Sequence, residues 1–361
     1  MFILLISFWS LIRYGMSIDV TERDLHNSIE KLLLVNDHLF VGTVNSLHRL
    51  SSSTLNETIF PLKLGPELDN PACRSLQTCQ DLRPTDNHLK ILLPIRSHAL
   101  LLCGTLFQGS CRIVDHDWNL IVNSSLPVVA NDPTNSTIGL IVPEKNLIYF
   151  GVTYTNRGTH RWQIPNIAGR SLDSNRFMRI LSANEDREDD GPIYRDDLTL
   201  RFMPRQQTSF IVQYIYSFYT NNYIYYLTNQ LRDTDQTILI TKIVRFCRHS
   251  SYSLIHSYSE MPLTCVNSDW IVRSAHTIVD HHHQMNLIGL FRRRDGSDGT
   301  RFCAWKIHQD IDRAFRENYR TCYSLGIGQR GLNFIKPNEP CRQDDVRSPI
   351  DLCLVGSSCV P

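Results

Sequence analysis

The sequence predicts an all-β protein with one short helix, and three observations lead to this fold class. Runs rich in Ile, Val, Tyr and Phe recur along the chain, and polar turn residues bound them. Pairs of these runs repeat loosely. Cys103 and Cys111 enclose a spacer with Gly104 and Gly109 near its ends, which predicts two adjacent strands folded back on each other and joined by a disulfide.

The strand-like runs follow one another along most of the chain. In order, they are 32–35, 39–41, 99–103, 138–142, 147–152, 210–216, 223–228, 238–246 and 287–291. Only one segment predicts a helix, because Ile307, Ile311 and Phe315 recur at helical spacing, with Ala314 on the same face. Charged residues occupy the remaining positions, so we expect a short helix near 308–320.

The repeat consists of an apolar run, a short polar break and a second apolar run that often ends in Gly. The pairs are 32–35 with 39–42, 89–93 with 99–104, 138–142 with 147–151, 210–216 with 223–227, and 271–279 with 287–291. Units that begin about 50 to 75 residues apart suit a β-propeller whose blades carry long insertions. A β-sandwich or several small β domains would also produce alternating strands.

The cysteines indicate an oxidising compartment. The chain has 11 of them, and spacing alone supports disulfides between Cys73 and Cys79 and between Cys103 and Cys111. Disulfides persist outside the cell and are rare in the cytosol, which favours an extracellular protein. The odd count leaves one thiol that is free, intermolecular or paired with a cysteine elsewhere.

Two further features agree with secretion. Residues 1–17 form an apolar leader that predicts a signal peptide, although a buried first strand or a misassigned start codon would also account for it. Acceptor sequences for N-glycosylation occur at Asn56, Asn123 and Asn135. We therefore expect an extracellular chain that begins near residue 18.

Composition argues against nucleic acid and membrane lipid as partners. A formal net charge of +1 provides no field that would attract nucleic acid or anionic lipid. No apolar stretch after the leader approaches the length that spans a bilayer, so we expect no membrane segment within this chain. We also expect no cofactor.

Four short motifs have structural explanations. Residues 326–331 match GxGxxG, but a helix precedes them and a strand-like run follows, the reverse of a dinucleotide site. Residues 280–283 (DHHH) favour a solvated hairpin loop over a metal site. Residues 292–294 (RRR) favour an exposed turn over a heparin contact or a processing site, and 184–190 favour a surface insertion over a Ca²⁺ loop. Since neither a GxSxG elbow nor a local cysteine–histidine signature occurs, we expect no enzyme.

Several segments resemble the sema domain of plexins, the cell-surface receptors for semaphorins. Residues 39–50 (LFVGTVNSLHRL) are similar to the family's first-blade motif, and 65–73 (GPELDNPAC) to its DNPxC motif. The most specific match is 103–111 (CGTLFQGSC), which resembles CGSLYQGxC. Segments 242–247 and 262–265 and the helix before Cys322 also fit the family, and 130–140 is similar to B-type plexins.

This resemblance implies a seven-bladed β-propeller of the sema type, of which the chain would hold about the first five blades. Residues 18–361 would form a partial sema domain, and the closing strands, the other modules and the membrane helix of a whole plexin would lie outside it. An open ring would leave its first and last blades with a bare apolar face each, so we expect the chain expressed alone to self-associate.

The family pattern also implies a set of five disulfides. The pairs are Cys73–Cys79, Cys103–Cys111, Cys247–Cys353, Cys265–Cys303 and Cys322–Cys341. The last three are implied by the resemblance alone. Cys359 has no partner in this scheme and is expected to be unpaired.

The function implied by the resemblance is recognition of a protein ligand by an extracellular receptor, in cell and axon guidance. Edges and loops of the early-to-middle blades would contact a semaphorin over roughly 800 Å² per partner, although the sequence nominates no contact residue. A co-receptor or homo-association would be compatible with this role. The alternatives are a secreted sema-domain decoy or adhesion module without signalling and, from another class, an extracellular enzyme on a propeller.

Overall fold

The computed structural model describes residues 22–325, except for the gaps 74–78, 96–97, 159–160, 162–163, 182–197, 204–205, 233–236 and 249–253. Several predictions lie outside the described residues. They concern the signal peptide at 1–17, the acidic stretch 184–190, the GxGxxG segment 326–331, and Cys341, Cys353 and Cys359.

The described strands form five main antiparallel sheets and one small strand pair. The first sheet contains β1 (Ile29–Val35), β2 (His38–Thr43), β3 (Ser46–Ser51) and β4 (Glu57–Lys63). The small pair is β5 (Glu67–Asp69) with β6 (Arg83–Thr85). The second sheet contains β7 (Leu89–Ile95), β8 (Ala99–Gly104), β9 (Cys111–Asp115) and β10 (Leu120–Ser124). The third contains β11 (Thr137–Val142), β12 (Leu147–Val152), β13 (Ile167–Ser171) and β14 (Thr199–Leu200). The fourth contains β15 (Val212–Tyr219), β16 (Tyr223–Leu231), β17 (Leu239–Cys247) and β18 (Ser259–Pro262), and the fifth β19 (Trp270–Val279), β20 (Met285–Arg293) and β21 (Thr300–Lys306).

The five sheets are blades of a β-propeller. Their first strands lie side by side, with β1 beside β7, β7 beside β11, β11 beside β15 and β15 beside β19. Consecutive blades therefore pack face to face around a common line, which is propeller geometry. Each of the five repeat units predicted from sequence corresponds to the first two strands of one blade, so the predicted fold class is confirmed.

Apolar cores fill the spaces between consecutive blades. Leu100 packs in the cluster between blades 1 and 2, whereas its neighbour Leu101 packs in the cluster between blades 2 and 3. Tyr226 and Tyr225 are divided in the same way between the clusters on the two sides of blade 4. Because successive side chains of a strand point to opposite faces, a strand covered on both faces is a continuous apolar run. These are the runs that stand out in the sequence.

The predicted helix is present and extends further than expected. A π-helical turn, Ile307–Ile311, leads into an α-helix, Asp312–Leu325, that follows a one-turn helix α1 (Leu254–Ser257) in the chain and is called α2. Ile307, Ile311 and Phe315 are buried, as their spacing predicted. No helix among residues 22–325, outside the gaps given above, is long and apolar enough to cross a membrane.

A buried charge pair fixes α2 to blade 4. Asp312 lies at the start of the helix, and its Oδ1 is 3.3 Å from Nη1 of Arg245 on β17. The Arg245 guanidinium stacks between the rings of Tyr223 and Phe315, 4.1 and 4.2 Å from their centroids. The Tyr225 hydroxyl donates a hydrogen bond to the same Asp312 oxygen. Opposite charge, ring stacking and hydrogen bonding thus all stabilise the contact between α2 and blade 4, which we call the joint.

Candidate recognition surface

The disulfide between Cys103 and Cys111 closes a tight loop at one end of the propeller. The two residues lie opposite each other on β8 and β9, with Cα atoms 4.1 Å apart. Between them, Phe107, Gln108 and Gly109 all have positive φ, at 53°, 68° and 86°. A Cβ added to Gly109 would lie 2.2 Å from the Val129 carbonyl oxygen, so only glycine fits this position.

The other glycine of this spacer, Gly104, has a different role from the one predicted. It is absent from the positive-φ residues of the described chain, so it does not supply the reversal. Instead, a Cβ at Gly104 would lie 2.0 Å from Oδ1 of Asn87. The Asn87 side chain donates a hydrogen bond to the Leu64 carbonyl, 2.9 Å away, and joins blades 1 and 2. Gly104 makes room for that link.

Gln108 connects this loop to two other segments. Its Nε2 donates hydrogen bonds to the carbonyls of Asn70 and Pro71, both at 3.2 Å, and its Oε1 accepts one from Asn131 at 3.3 Å. Arg161 is 1% exposed and donates to the carbonyls of Gln108 and Val129. Burial lowers the pKa of Arg161 to about 10, so it remains charged at physiological pH.

These bonds bring together segments that are far apart in sequence. We call residues 69–71, 104–110, 129–132 and 155–158 with Arg161 the loop cluster. It unites the three stretches that matched family motifs around the DNP, CGTLFQGSC and AND sequences. No local sequence pattern predicts that a buried arginine 50 residues beyond Cys111 completes it.

The structure contains further disulfides. Cys73 is bonded to Cys79 beside the loop cluster, and Cys265, ahead of β19, is bonded to Cys303 on β21. With the Cys103–Cys111 bond, these are three of the five pairs implied by the family pattern. Cys247 and Cys322 are also disulfide-bonded.

The opposite end of blades 3 and 4 presents exposed turns. We define the turn surface as residues 143–146, 173–176 and 220–222, which follow β11, β13 and β15. Lys145, Asp173 and Arg176 are exposed on it. Charges of both signs are therefore available to a partner, an arrangement that favours orientation-specific association.

Arg248 joins the two blades beneath the turn surface. Its Nη2 pairs with Glu144 of blade 3, and its Nη1 donates to the Thr220 carbonyl of blade 4 at 2.9 Å. The guanidinium also lies 4.1 Å from the centroid of the Tyr219 ring. A surface held by such a joint needs little reordering on binding, which lowers the entropic cost of association.

The three predicted glycosylation positions differ in accessibility. Asn56 and Asn123 are exposed. Asn135 is only partly exposed, and its Nδ2 donates a hydrogen bond to Asp132, a carboxylate that is 2% exposed. The acceptor nitrogen of Asn135 is thus engaged within a compact turn.

The DHHH motif lies in an exposed turn, as predicted. The turn predicted for the RRR motif is wrong for its first two residues, because Arg292 and Arg293 end strand β20 and only Arg294 lies in the turn that follows. His281, His282 and His283 are exposed in the β19–β20 hairpin, where Asp280 Oδ1 accepts from the backbone N–H groups of His282 and Gln284. Arg292 and Arg293 are exposed, whereas Arg294 pairs with Asp269. Across the described ranges, no group of three or more His, Cys, Asp or Glu side chains is placed to hold a metal ion.

A cavity at the loop cluster is too small for an organic ligand. It is lined by Leu64, Asn87, Gly104 and Arg112, among others, and has a volume of about 10 Å³. That is about the space needed by one water molecule.

Comparison with known proteins shows a likeness to plexins. No protein-family model matches the chain. Human Plexin-A4 is 23% identical over 349 residues, which cover 84% of this chain but only 18% of Plexin-A4. The chain thus spans less than a fifth of the length of this relative.

Solved structures support the fold. The full extracellular region of Plexin A4 (domains 1 to 8) matches with a TM-score of 0.71 and 21% identity, covering 90% of this chain and 39% of that one. Drosophila Plexin A in complex with Semaphorin 1b matches with a TM-score of 0.51 and 15% identity, over 80% of this chain and 53% of that one. The chain is similar to plexins in sequence and has the fold of their propeller. The B-type subtype stays a prediction.

Proposed function

We infer from this likeness to plexins that the chain is the ligand-recognition part of an extracellular receptor, and we propose that its ligand is a semaphorin. The observation that carries the proposal is that sequence similarity to a plexin covers 84% of the chain and similarity to the plexin propeller fold covers 90% of it. A plexin with this fold has been seen with a semaphorin bound. The role in cell and axon guidance follows from this proposal.

The physical character of the molecule suits recognition. Hydrogen-bonded blades and disulfide-closed loops make a rigid scaffold. Exposed turns and blade edges on such a scaffold can carry many different side chains without disturbing the fold. We propose that the turn surface of blades 3 and 4 is part of the semaphorin contact. Its exposed Lys145 and Arg176, each free of an ion pair among the described residues, provide charge that an acidic partner surface would complement.

Binding of the purified chain to semaphorin ectodomains tests the proposal. The chain is immobilised, and a panel of semaphorin ectodomains is passed over it at increasing concentration. We expect saturable binding to at least one panel member. In the double variant Lys145→Glu with Arg176→Glu, we expect binding weakened roughly tenfold, with most of the loss in the association rate.

A matched control separates position from net charge. Lys63→Glu with Arg313→Glu makes the same charge change at exposed positions of blade 1 and α2. We expect this control to bind as the parent does. Equal weakening by both double variants would show a general charge effect and reject the turn surface, whereas absence of binding across the whole panel would reject the semaphorin proposal itself.

A secreted decoy or adhesion module is the second candidate, since the same fold and disulfides suit either role. Surface biotinylation of cells that naturally produce the protein distinguishes the two. Labelled protein that remains with the cells supports the receptor. Protein recovered only from the medium supports the secreted form. Participation of a co-receptor, or association between copies, would show in the same cells by crosslinking.

A further inference from the structure

An exposed apolar patch lies where the outer edges of blades 1 and 2 meet. Phe60 on β4 is 90% exposed, and Leu120 and Ile121 on β10 are 58% and 56% exposed. Trp118 holds these strands together, because its Nε1 donates a hydrogen bond of 2.8 Å to the Phe60 carbonyl. Large apolar side chains exposed next to one another in water are usually shielded by a partner or by another group.

The strand edges at this patch are unsuited to pairing with another strand. β4 contains Pro61, which has no N–H to donate, and its pairing with β3 is bulged between Leu47 and Arg49. β10 is bulged between Leu120 and Val122. Proline and bulges at an edge block strand addition. A group that covers the patch would therefore contact its side chains rather than pair with its backbone.

An N-glycosylation position lies on the same side of β10 as Leu120. Leu120 pairs with Val114, which packs toward blade 1, and Asn123 pairs with Arg112, which lines the cavity between blades 1 and 2. The bulge between them keeps both side chains on the blade 1 side. At about 3.3 Å per residue, Asn123 lies ~7–10 Å along the strand from Leu120.

We propose that the N-glycan on Asn123 lies over this patch and covers Phe60 and Leu120. The carbon–hydrogen faces of N-acetylglucosamine are apolar and pack against aromatic and aliphatic side chains, while its hydroxyls and amide stay in water. A glycan is amphipathic in the way the site requires. The proposal rests on the prediction that the chain is secreted, and it is independent of the semaphorin ligand.

The test compares glycoforms of the full chain secreted from eukaryotic cells. Peptide mass mapping first measures occupancy at Asn56, Asn123 and Asn135; we expect Asn123 to be occupied. Asn123→Gln then removes the cover, and Ser125→Ala removes it without changing Asn123. We expect both variants to bind an apolar-surface dye about twofold more strongly than the parent because the patch is exposed.

Two controls assign the effect to the patch. Asn56→Gln removes a glycan from another exposed position and should leave dye binding unchanged. Phe60→Ser, combined with Asn123→Gln, should return dye binding to the parent value. An unoccupied Asn123, unchanged dye binding in Ser125→Ala, or an equal rise in Asn56→Gln overturns the proposal. A concentration-dependent dimer of the glycosylated parent that Phe60→Ser abolishes would also overturn it and assign the patch to a second copy.

Discussion

Gly109 holds its place in the loop cluster for two separate reasons. Its φ of +86° is one that other residues adopt at a cost, and the Val129 carbonyl occupies the space of a Cβ. Gly296, in the β20–β21 turn, shares only the first reason, because its φ is +80° but no atom lies within 4 Å of a Cβ placed there. Comparison of these two glycines therefore separates the cost of backbone strain from the cost of steric exclusion.

We expect Gly296→Ala to lower the free energy of unfolding by roughly 1 kcal/mol, from left-handed backbone strain alone. We expect Gly109→Ala to lower it by about 3 kcal/mol or more, because the carbonyl of Val129 must also move. Denaturant unfolding of the two variants beside the parent measures both losses. Equal losses would show that space around Gly109 is unimportant.

At the scale of elements, α2 is bound to the propeller by more than its apolar face. Ile307, Ile311 and Phe315 supply the burial that the sequence pattern predicts. The charge pair of Asp312 and Arg245 adds a polar contact in surroundings where both side chains are almost fully buried, at 6% and 3% exposed. Removing one partner of such a pair leaves the other charge buried without compensation.

We therefore expect Asp312→Asn to destabilise the protein by about 3–5 kcal/mol. Hydrogen exchange should rise first in α2, since the uncompensated Arg245 lies beneath that helix. Arg316→Ala removes an exposed charge from the same helix and should change stability by less than about 0.5 kcal/mol. If Asp312→Asn behaves like Arg316→Ala in denaturant unfolding, the joint contributes nothing to docking.

The same elements show how far the sequence could be interpreted. The first two strands of each blade were visible because they are apolar on both faces. Outer strands such as β4 and β21 alternate between partly covered and exposed residues and were missed. The apolar face of the helix predicts its position, but that pattern does not single out Asp312. The ion pair joins Asp312 to Arg245, which lies 67 residues earlier in the sequence. No local sequence pattern can therefore predict it.

At the scale of the whole molecule, the disulfides with both partners among the described residues link nearby segments: Cys73–Cys79 closes one loop, Cys103–Cys111 joins two strands of blade 2, and Cys265–Cys303 joins the segment before β19 to β21. Five pairs in the family pattern would use all the cysteines except Cys359. We expect one titratable thiol per chain in denatured, unreduced protein. Peptide mapping should place Cys247 with Cys353 and Cys322 with Cys341. Finding no free thiol, or finding Cys359 in a bridge, would contradict the scheme.

The outward faces of blades 1 and 5 bear exposed apolar side chains. On β1, Leu33 and Val35 pack toward blade 2, so Leu32 and Leu34, 63% and 62% exposed, lie on the other face. On β21, Cys303 and Trp305 pack toward blade 4, and Phe302, 67% exposed, points the opposite way. Apolar groups on both outward faces favour association through them.

We expect the polypeptide of 361 residues, expressed on its own, to form oligomers at micromolar concentration, as measured by light scattering. Leu32→Ser with Leu34→Ser should shift it toward the monomer, because the blade 1 face then loses its apolar surface. Leu68→Ser changes an exposed leucine of β5, away from both faces, and should leave the oligomers intact. A parent chain that stays monomeric at every concentration would show that these faces do not drive association.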